Sequence, residues 1–171
     1  LRVLVPALAS SGGGELERRA RSGLDKLKSI NWSAKREMLV RQIEAKGAGN
    51  PIDPDWLALQ VVEAMPANAI LVDEGLTSSR YIPSLRAHRD RYGYHAVASG
   101  GIGWSVPASI GVSLANPGRP VVCYVGDGSA MYSIQALWTA AHHNLPLTVV
   151  LVNNGGYRII KQRLLAFHQE D

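Results

Sequence analysis

Two short clusters of acidic, amide and glycine residues in the second half of the chain have the types and spacing to hold a phosphate through a metal ion. The first cluster, Gly126-Asp127-Gly128-Ser129, follows the apolar run Val121–Val125. The second cluster, Asn153-Asn154-Gly155-Gly156, follows the apolar run Leu147–Val152, with 24 residues between Gly128 and Asn153. A helix and a strand together use such a length, so we expect the two clusters at the ends of adjacent strands.

The residue types in these clusters favour a divalent cation. Ser129 lies near the start of a predicted helix, Met131–His143, whose free N–H groups attract an anion such as phosphate. Asp127 would repel a bare phosphate, and Mg²⁺ resolves the conflict because it bridges carboxylates to phosphates. The amide oxygen of Asn154 and the carbonyl of Gly156 offer further oxygen ligands. Asp-Gly and Asn-Gly pairs also form ordinary turns, and only their combination at this spacing favours a site.

The surrounding pattern predicts an α/β fold. Three continuous apolar runs are typical of parallel strands covered on both faces: Ala69–Val72, Val121–Val125 and Leu147–Val152. Helices predicted at Trp104–Ala115 and Met131–His143 can serve as crossovers. Asp53 is a good N-cap and Pro54 a good first residue for another helix, which ends before Pro66. The prediction is a doubly wound, mainly parallel sheet with helices on both faces, and ligands of such sheets bind beyond the carboxyl ends of the strands.

The first fifty residues differ from the rest. Ala9–Gly14 is a small-residue stretch that predicts flexibility, while Glu15–Lys28 and Trp32–Ala45 have weak helical patterns. We interpret residues 1–50 as a connector from an upstream domain. Residues 51–171 are then the compact ligand-binding domain, which we expect to be incomplete at its C-terminal end.

Charge and composition exclude several other classes. Nine of the 18 Lys and Arg residues lie between Arg18 and Lys46, with only Trp32 interleaved, which argues for a solvated face and against nucleic-acid binding. No apolar run approaches the length of a membrane span. The single Cys123 excludes an internal disulfide, and its apolar surroundings predict a buried thiol. The cytoplasm is the expected compartment.

The two clusters together resemble the signature motif of thiamin-diphosphate-dependent enzymes. The similarity extends from about Asp53 to Lys161, and within that family Gly126–Tyr132 and Ala136–Ala141 are most similar to benzoylformate decarboxylase, with acetolactate synthase and related 2-oxo-acid lyases more distant. The resemblance implies a diphosphate-binding domain that holds thiamin diphosphate through Mg²⁺. The implied metal ligands are Asp127, Asn154 and the carbonyl of Gly156.

The resemblance also assigns cofactor contacts outside the two clusters. Gly100 would accept a hydrogen bond from the aminopyrimidine through its carbonyl, and Ile102 would be the apolar wedge that bends the cofactor. Leu76 and Thr77 match the diphosphate-contacting loop, although a hydroxyl residue is usual at the position of Leu76. The predicted set is completed by Gly128, Ser129 and Tyr157.

One catalytic part is implied to lie elsewhere. The family activates the cofactor with a glutamate on a pyrimidine-binding domain, carried by the same or another subunit, and Glu74 is no substitute because its position belongs to the diphosphate side. We therefore expect no catalytic residue in this chain and no turnover by the chain alone. The expected substrate is a small 2-oxo acid and the expected assembly a homodimer or homotetramer, with decarboxylation and carboligation both left open.

Several alternatives remain open at the level of sequence. An acetolactate synthase-like carboligase or an acyl-CoA-processing lyase of the same family is one, and a non-catalytic Rossmann-type nucleotide module is another. The cations Arg158, Lys161 and Arg163 are interpreted as the wet face of a helix, with pairing to an acidic or CoA-like substrate as the alternative. Further expectations concern aromatic side chains: Trp138 packs in the core, and His142 and His143 form no metal pair. His88 and His95 are interpreted as members of a polar, Arg-rich loop, with a place beside a substrate cavity as the alternative for either.

Overall fold

The computed structural model describes residues 3–168, and its contacts divide the chain into two compact units, the first ending at Gln42 and the second beginning at Ile43. The predicted end of the ligand-binding domain at residue 171 lies outside the described residues. No helix within the described range is long and apolar enough to cross a membrane.

The first unit is helical. It contains α1 (Leu4–Ser11), α2 (Gly14–Ile30) and most of α3 (Trp32–Lys46). The two later helices agree with the weak patterns in the sequence. The predicted flexible stretch is wrong for residues 9–11, which continue α1, because the Ser11 hydroxyl donates back to the carbonyl of Ala7 and satisfies it within the helix. Only Gly12 and Gly13 separate α1 from α2.

The second unit is built on a four-stranded parallel sheet. Its strands are β1 (Ile70–Glu74), β2 (Tyr94–Ala96), β3 (Val121–Gly126) and β4 (Leu147–Val152), in the spatial order β2-β1-β3-β4. Three of them match the predicted apolar runs. The chain leaves β1 toward one side to form β2 and then returns to the other side to form β3, so the winding direction reverses between β1 and β3. That reversal confirms the doubly wound α/β class and creates a crevice at the carboxyl ends of β1 and β3.

The helices of the second unit follow from local signals and from burial. They are α4 (Pro54–Ala64), α5 (Ile82–Leu85), α6 (Ser105–Ala115), α7 (Asp127–Met131), α8 (Leu137–His142) and α9 (Arg158–His168). Helix α4 begins as predicted, since the Asp53 carboxylate accepts the N–H groups of Asp55 and Trp56. Helix α6 supplies the crossover to β3 and packs on the sheet.

The core lies mainly between α6 and the sheet. Ile70, Val72 and Val121 form one buried group against Trp104, Ala108 and Val112. A second group joins Val106 of α6 to Val125 and Ala130 and includes Cys123, which is fully buried, as predicted. Burial raises the pKa of the Cys123 thiol, so this side chain serves as a small apolar group.

The crossover between β3 and β4 departs from the single helix predicted over Met131–His143. It consists instead of α7, a 3₁₀ turn at Ile134–Ala136 and α8. The interruption falls at Ser133, whose backbone leaves helical geometry (φ −148°) while its hydroxyl donates to the carbonyl of Gly103 at 2.6 Å. A tertiary hydrogen bond therefore breaks a segment that local propensity alone would keep helical.

The prediction that Trp138 packs in the core is wrong. Its side chain is 70% exposed and stacks on the His142 ring, with 4.8 Å between ring centroids. Helix α8 turns Leu137 and Ala140 toward the core, and the roughly 100° rotation per helical residue carries Trp138 outward.

Candidate functional site

The carboxyl end of β1 carries two buried acids. Asp73 accepts hydrogen bonds from the Gly75 N–H at 2.9 Å and from the Tyr94 hydroxyl at 2.8 Å. Burial raises the pKa of Asp73 in spite of these donors, which act in the opposite direction. The chain then enters a 3₁₀ turn, Leu76–Ser78, in which Leu76 has a left-handed backbone with φ of 49°. A branched-chain residue in this region is strained, and such strain is found where a loop is held for a ligand.

Glu74 is the second acid, and its side chain is directed toward the glycine-rich loop before α6. One carboxylate oxygen accepts the Gly103 N–H at 2.6 Å and the other accepts the Ser105 N–H at 2.8 Å. Only 2% of the residue is exposed. Glu74 thus caps the start of α6 and ties the loop to the end of β1.

The carboxyl end of β3 turns directly into α7. Gly126 is still extended, and Asp127 is the first residue of α7 and half-buried. Gly128 lies against the Tyr157 ring so closely that a Cβ atom there would stand 2.9 Å from a ring carbon. Glycine is therefore required at this position for Tyr157 to cover the turn. A hydrogen bond with Tyr132 raises the pKa of the Tyr157 hydroxyl.

The end of β4 meets the end of β3 through a direct contact. The Asn154 backbone N–H donates to the Asp127 carboxylate at 3.4 Å, and the Asn154 side-chain oxygen accepts the Gly156 N–H at 3.3 Å. Gly155 and Gly156 have φ values of 69° and 157°, which let the loop fold back toward α7. Carboxylate, amide and carbonyl oxygens from two adjacent strand ends are thereby gathered at one place.

These strand ends line one cleft. Its walls include nine of the ten residues singled out from the sequence: Leu76, Thr77, Ile102, Asp127, Gly128, Ser129, Asn154, Gly156 and Tyr157. Gly100 is absent from these walls, and it lies in the preceding loop with φ of 74°. Ile102 borders both this cleft and a second cavity, which is lined by residues 96–99 and 101–104. The placement of the nine lining residues is compatible with the predicted contacts. The role of each residue toward the cofactor or the metal stays a prediction.

Sequence reasoning missed part of the cleft. Ile159 and Ile160 from the start of α9 also line it. Arg158 lines it too, although the sequence favoured a solvent-exposed helix face for this residue, and Glu74 and Gly75 extend the predicted diphosphate-contacting loop back toward β1. Gly75 allows close packing, because a Cβ there would stand 2.6 Å from the Tyr124 ring. The local sequence contains no signal for the contributions of Ile159 and Ile160, since these depend on packing between distant segments.

The other candidate side chains are distributed as follows. Arg158, Lys161 and Arg163 are exposed, in agreement with a wet helix face, although Arg158 also reaches the cleft. His88 borders a cavity near the start of β1, whereas the cleft lies at the carboxyl ends of the strands. His95 lies within β2 and lines neither the cleft nor the cavity that His88 borders.

The donor chemistry of the cleft limits the kind of metal it can bind. The described part of the chain contains no group of three or more His, Cys, Asp or Glu side chains that could bind an ion. A cation at the cleft would rely on one carboxylate, amide and carbonyl oxygens, and the oxygens of its ligand. Such a mixed oxygen set fits Mg²⁺, which is commonly held by one or two carboxylates and a phosphate.

The parallel sheet, its switch point and the polar cleft at its carboxyl edge define an α/β ligand-binding domain. Residues 75–171 match the family model of the C-terminal TPP binding domain of thiamine pyrophosphate enzymes, TPP being the compound called thiamin diphosphate above. The match covers more than half of the chain, and the chain belongs to this family. The resemblance seen in the sequence is confirmed, and the family match favours it over a Rossmann-type nucleotide module.

Several known proteins are similar to the chain. IlvX of Mycobacterium tuberculosis, which has the provisional name of an acetolactate synthase large subunit, is 42% identical over 63% of the chain and 21% of its own length. Benzoylformate decarboxylase of Pseudomonas aeruginosa is 34% identical over 73% of the chain and 24% of its own length. The structure of a thiamine diphosphate-dependent 4-hydroxybenzoylformate decarboxylase from Rhodococcus jostii superposes with a TM-score of 0.66, at 36% identity over 73% of this chain and 23% of that one. The chain thus spans about a quarter or less of the length of these relatives.

Proposed function

We propose that this chain supplies the diphosphate- and magnesium-binding half of the cofactor site in a thiamin-diphosphate-dependent 2-oxo-acid decarboxylase or carboligase. The contact between the Asn154 N–H and the Asp127 carboxylate carries the proposal, because it brings the oxygen donors of two strand ends to one cleft. The family match supports thiamin diphosphate as the ligand of that cleft.

Each wall of the cleft has a separate role in this proposal. Asp127, the Asn154 side chain and the Gly156 carbonyl would hold Mg²⁺, and Ser129 with the Leu76–Thr77 turn would contact the diphosphate. Gly100 and Ile102 would face the pyrimidine side. When bound, the cofactor supplies an electron sink for cleavage beside the carbonyl of a 2-oxo acid, and this chain's residues bind and orient it.

The remaining parts of the enzyme are proposed to lie outside this chain. A pyrimidine-binding domain, from the same or another subunit of a homodimer or homotetramer, would bring the activating glutamate. Decarboxylation and carboligation both remain within the proposal, because the similar proteins include decarboxylases and an acetolactate synthase. The chain alone is then expected to bind cofactor without turnover.

Calorimetry on the purified chain tests the proposal. Thiamin diphosphate is expected to bind with Mg²⁺ and at least about tenfold more weakly in EDTA, since the cation bridges two groups of like charge. Asp127→Asn should weaken binding by a similar factor. Asp25→Asn is the matched control, because Asp25 lies on the exposed surface of α2.

Two results would contradict the proposal. Binding of NAD without Mg²⁺, in place of thiamin diphosphate, would assign the cleft to a nucleotide. Decarboxylation of benzoylformate by the chain, in a preparation shown to be free of any longer enzyme, would show that no partner domain is needed.

A further inference from the structure

Glu74 is a buried carboxylate to which the proposed function assigns no role. It is held by backbone amides, and no ion pair among the described residues includes it. A buried charge is costly unless hydrogen bonds compensate it. Here the compensation comes from two donors on one segment, the N–H groups of Gly103 and Ser105. The 11-residue helix α6 begins at Ser105 and adds its favourable dipole.

Gly103 is fixed from two directions. Its N–H donates to Glu74 at the end of β1, and its carbonyl accepts the Ser133 hydroxyl from the crossover between β3 and β4. Gly103 also has φ of 86° and lies against Tyr132, so no larger residue fits. The loop before α6 is therefore fastened to both sides of the switch point.

Ile102 immediately precedes this fastened residue. It is 38% exposed and lines the cleft. Its position follows that of Gly103, because one peptide unit links them. The oxygen donors on the other wall are joined separately, through the contact of Asn154 with Asp127. Glu74 takes no part in that contact.

From this arrangement we infer that Glu74 is a positioning residue: through the amides of Gly103 and Ser105 it sets the place of Ile102, and so the fit of the cofactor's ring portion but not of its diphosphate. This inference rests on the proposed function for the identity of the ligand. It gives a role to Glu74, whose carboxylate is hydrogen-bonded to Gly103 and Ser105.

The variant Glu74→Gln distinguishes an effect on binding of the cofactor's ring portion from an effect on binding of its diphosphate. Glutamine keeps the size and one acceptor oxygen, but its NH₂ group replaces an acceptor opposite a backbone N–H, so one of the two hydrogen bonds is lost. Two probes report on the cleft: inorganic pyrophosphate with Mg²⁺ tests the diphosphate wall, and thiamin diphosphate with Mg²⁺ tests both walls. The dissociation constant for thiamin diphosphate should rise about tenfold while that for pyrophosphate changes less than about twofold.

Hydrogen exchange supplies a readout that needs no ligand. The amides of Gly103 and Ser105 should exchange faster in Glu74→Gln, whereas amides of the strand β3 should not change. Glu44→Gln, a substitution of the same chemistry on the exposed face of α3, is the control and should leave both measurements unchanged. Glu74→Asp replaces Glu74→Gln if the latter does not fold, because it keeps the charge but is too short to reach both amides.

The outcomes are distinct. Equal weakening of both probes, or unchanged binding of thiamin diphosphate, would overturn the positioning role while leaving the proposed function intact. If the unsubstituted chain binds neither probe, the proposed function fails. Hydrogen exchange at Gly103 and Ser105 then tests the remaining inference. Faster exchange in Glu74→Gln supports the role of Glu74 in holding the loop before α6, and unchanged exchange refutes it.

Discussion

Gly103 is the glycine at which an added Cβ atom would make the shortest contact with the rest of the protein. An added Cβ at Gly103 would overlap the Cβ of Tyr132 and stand 3.2 Å from its Cγ and 3.3 Å from the carbonyl oxygen of Ser129. The backbone at Gly103 is also left-handed, with φ of 86°. Gly103→Ala therefore combines backbone strain with a steric clash.

The magnitude follows from these two effects. A left-handed backbone costs a non-glycine residue about 1–2 kcal/mol, and overpacking in a tight site adds about 1–3 kcal/mol. The free energy of unfolding should fall by about 2–5 kcal/mol. Tyr132 is attached to the broken crossover and cannot move away without disturbing the hydrogen bond from Ser133 to Gly103.

Gly100→Ala is the matched control for this prediction. Gly100 has a similar φ of 74°, but a Cβ there would meet nothing within 4 Å. It should cost only the backbone contribution, about 1–2 kcal/mol. Urea unfolding followed by circular dichroism measures both variants, and equal midpoints for the two would refute the clash and the packing of Tyr132 on the loop.

Two other predictions concern buried groups. Burial raises the pKa of Asp73 above its ordinary value of 3.8, so the folded state binds a proton more tightly than the unfolded state. The free energy of unfolding should therefore fall as the pH rises from about 4 through the raised pKa. Denaturant titrations across that pH range should show a smaller slope in Asp73→Asn. A slope that is the same in both proteins would contradict the assignment. Burial also raises the pKa of the Cys123 thiol. The native chain should therefore react with a thiol reagent such as DTNB at least about a hundredfold more slowly than the urea-unfolded chain. Comparable rates would show that Cys123 is accessible.

Local signals were sufficient for much of the fold. The three continuous apolar runs became β1, β3 and β4, and the Asp53 cap began α4, because hydrophobic burial and capping act over a few neighbouring residues. The sequence does not predict strand β2, because this strand has only three residues, half-buried or exposed, and is stabilised by its pairing with β1. Helix α5 was missed for a similar reason, because a single turn leaves almost no periodic pattern.

The nature of the cleft could also be predicted, but its full composition could not. Asp127 and Asn154 were identified by their types and by their position after apolar strands. The contributions of Ile159 and Ile160, and the exposure of Trp138, depend on how helices and loops lie against the sheet. Such packing depends on many weak contacts at once and is not encoded in any one stretch of residues.

The order of residues along the chain predicts which groups stand at the carboxyl ends of the strands, and therefore that oxygen donors and glycines meet at one end of a parallel sheet. Which of these groups touch is a property of the folded protein: Asp127 contacts Asn154, 27 positions away, and Glu74 contacts Gly103, 29 positions away. These contacts arise from the strand order. Placing β1 beside β3 and β3 beside β4 sets loops opposite one another whose separation along the chain carries no information about their contact.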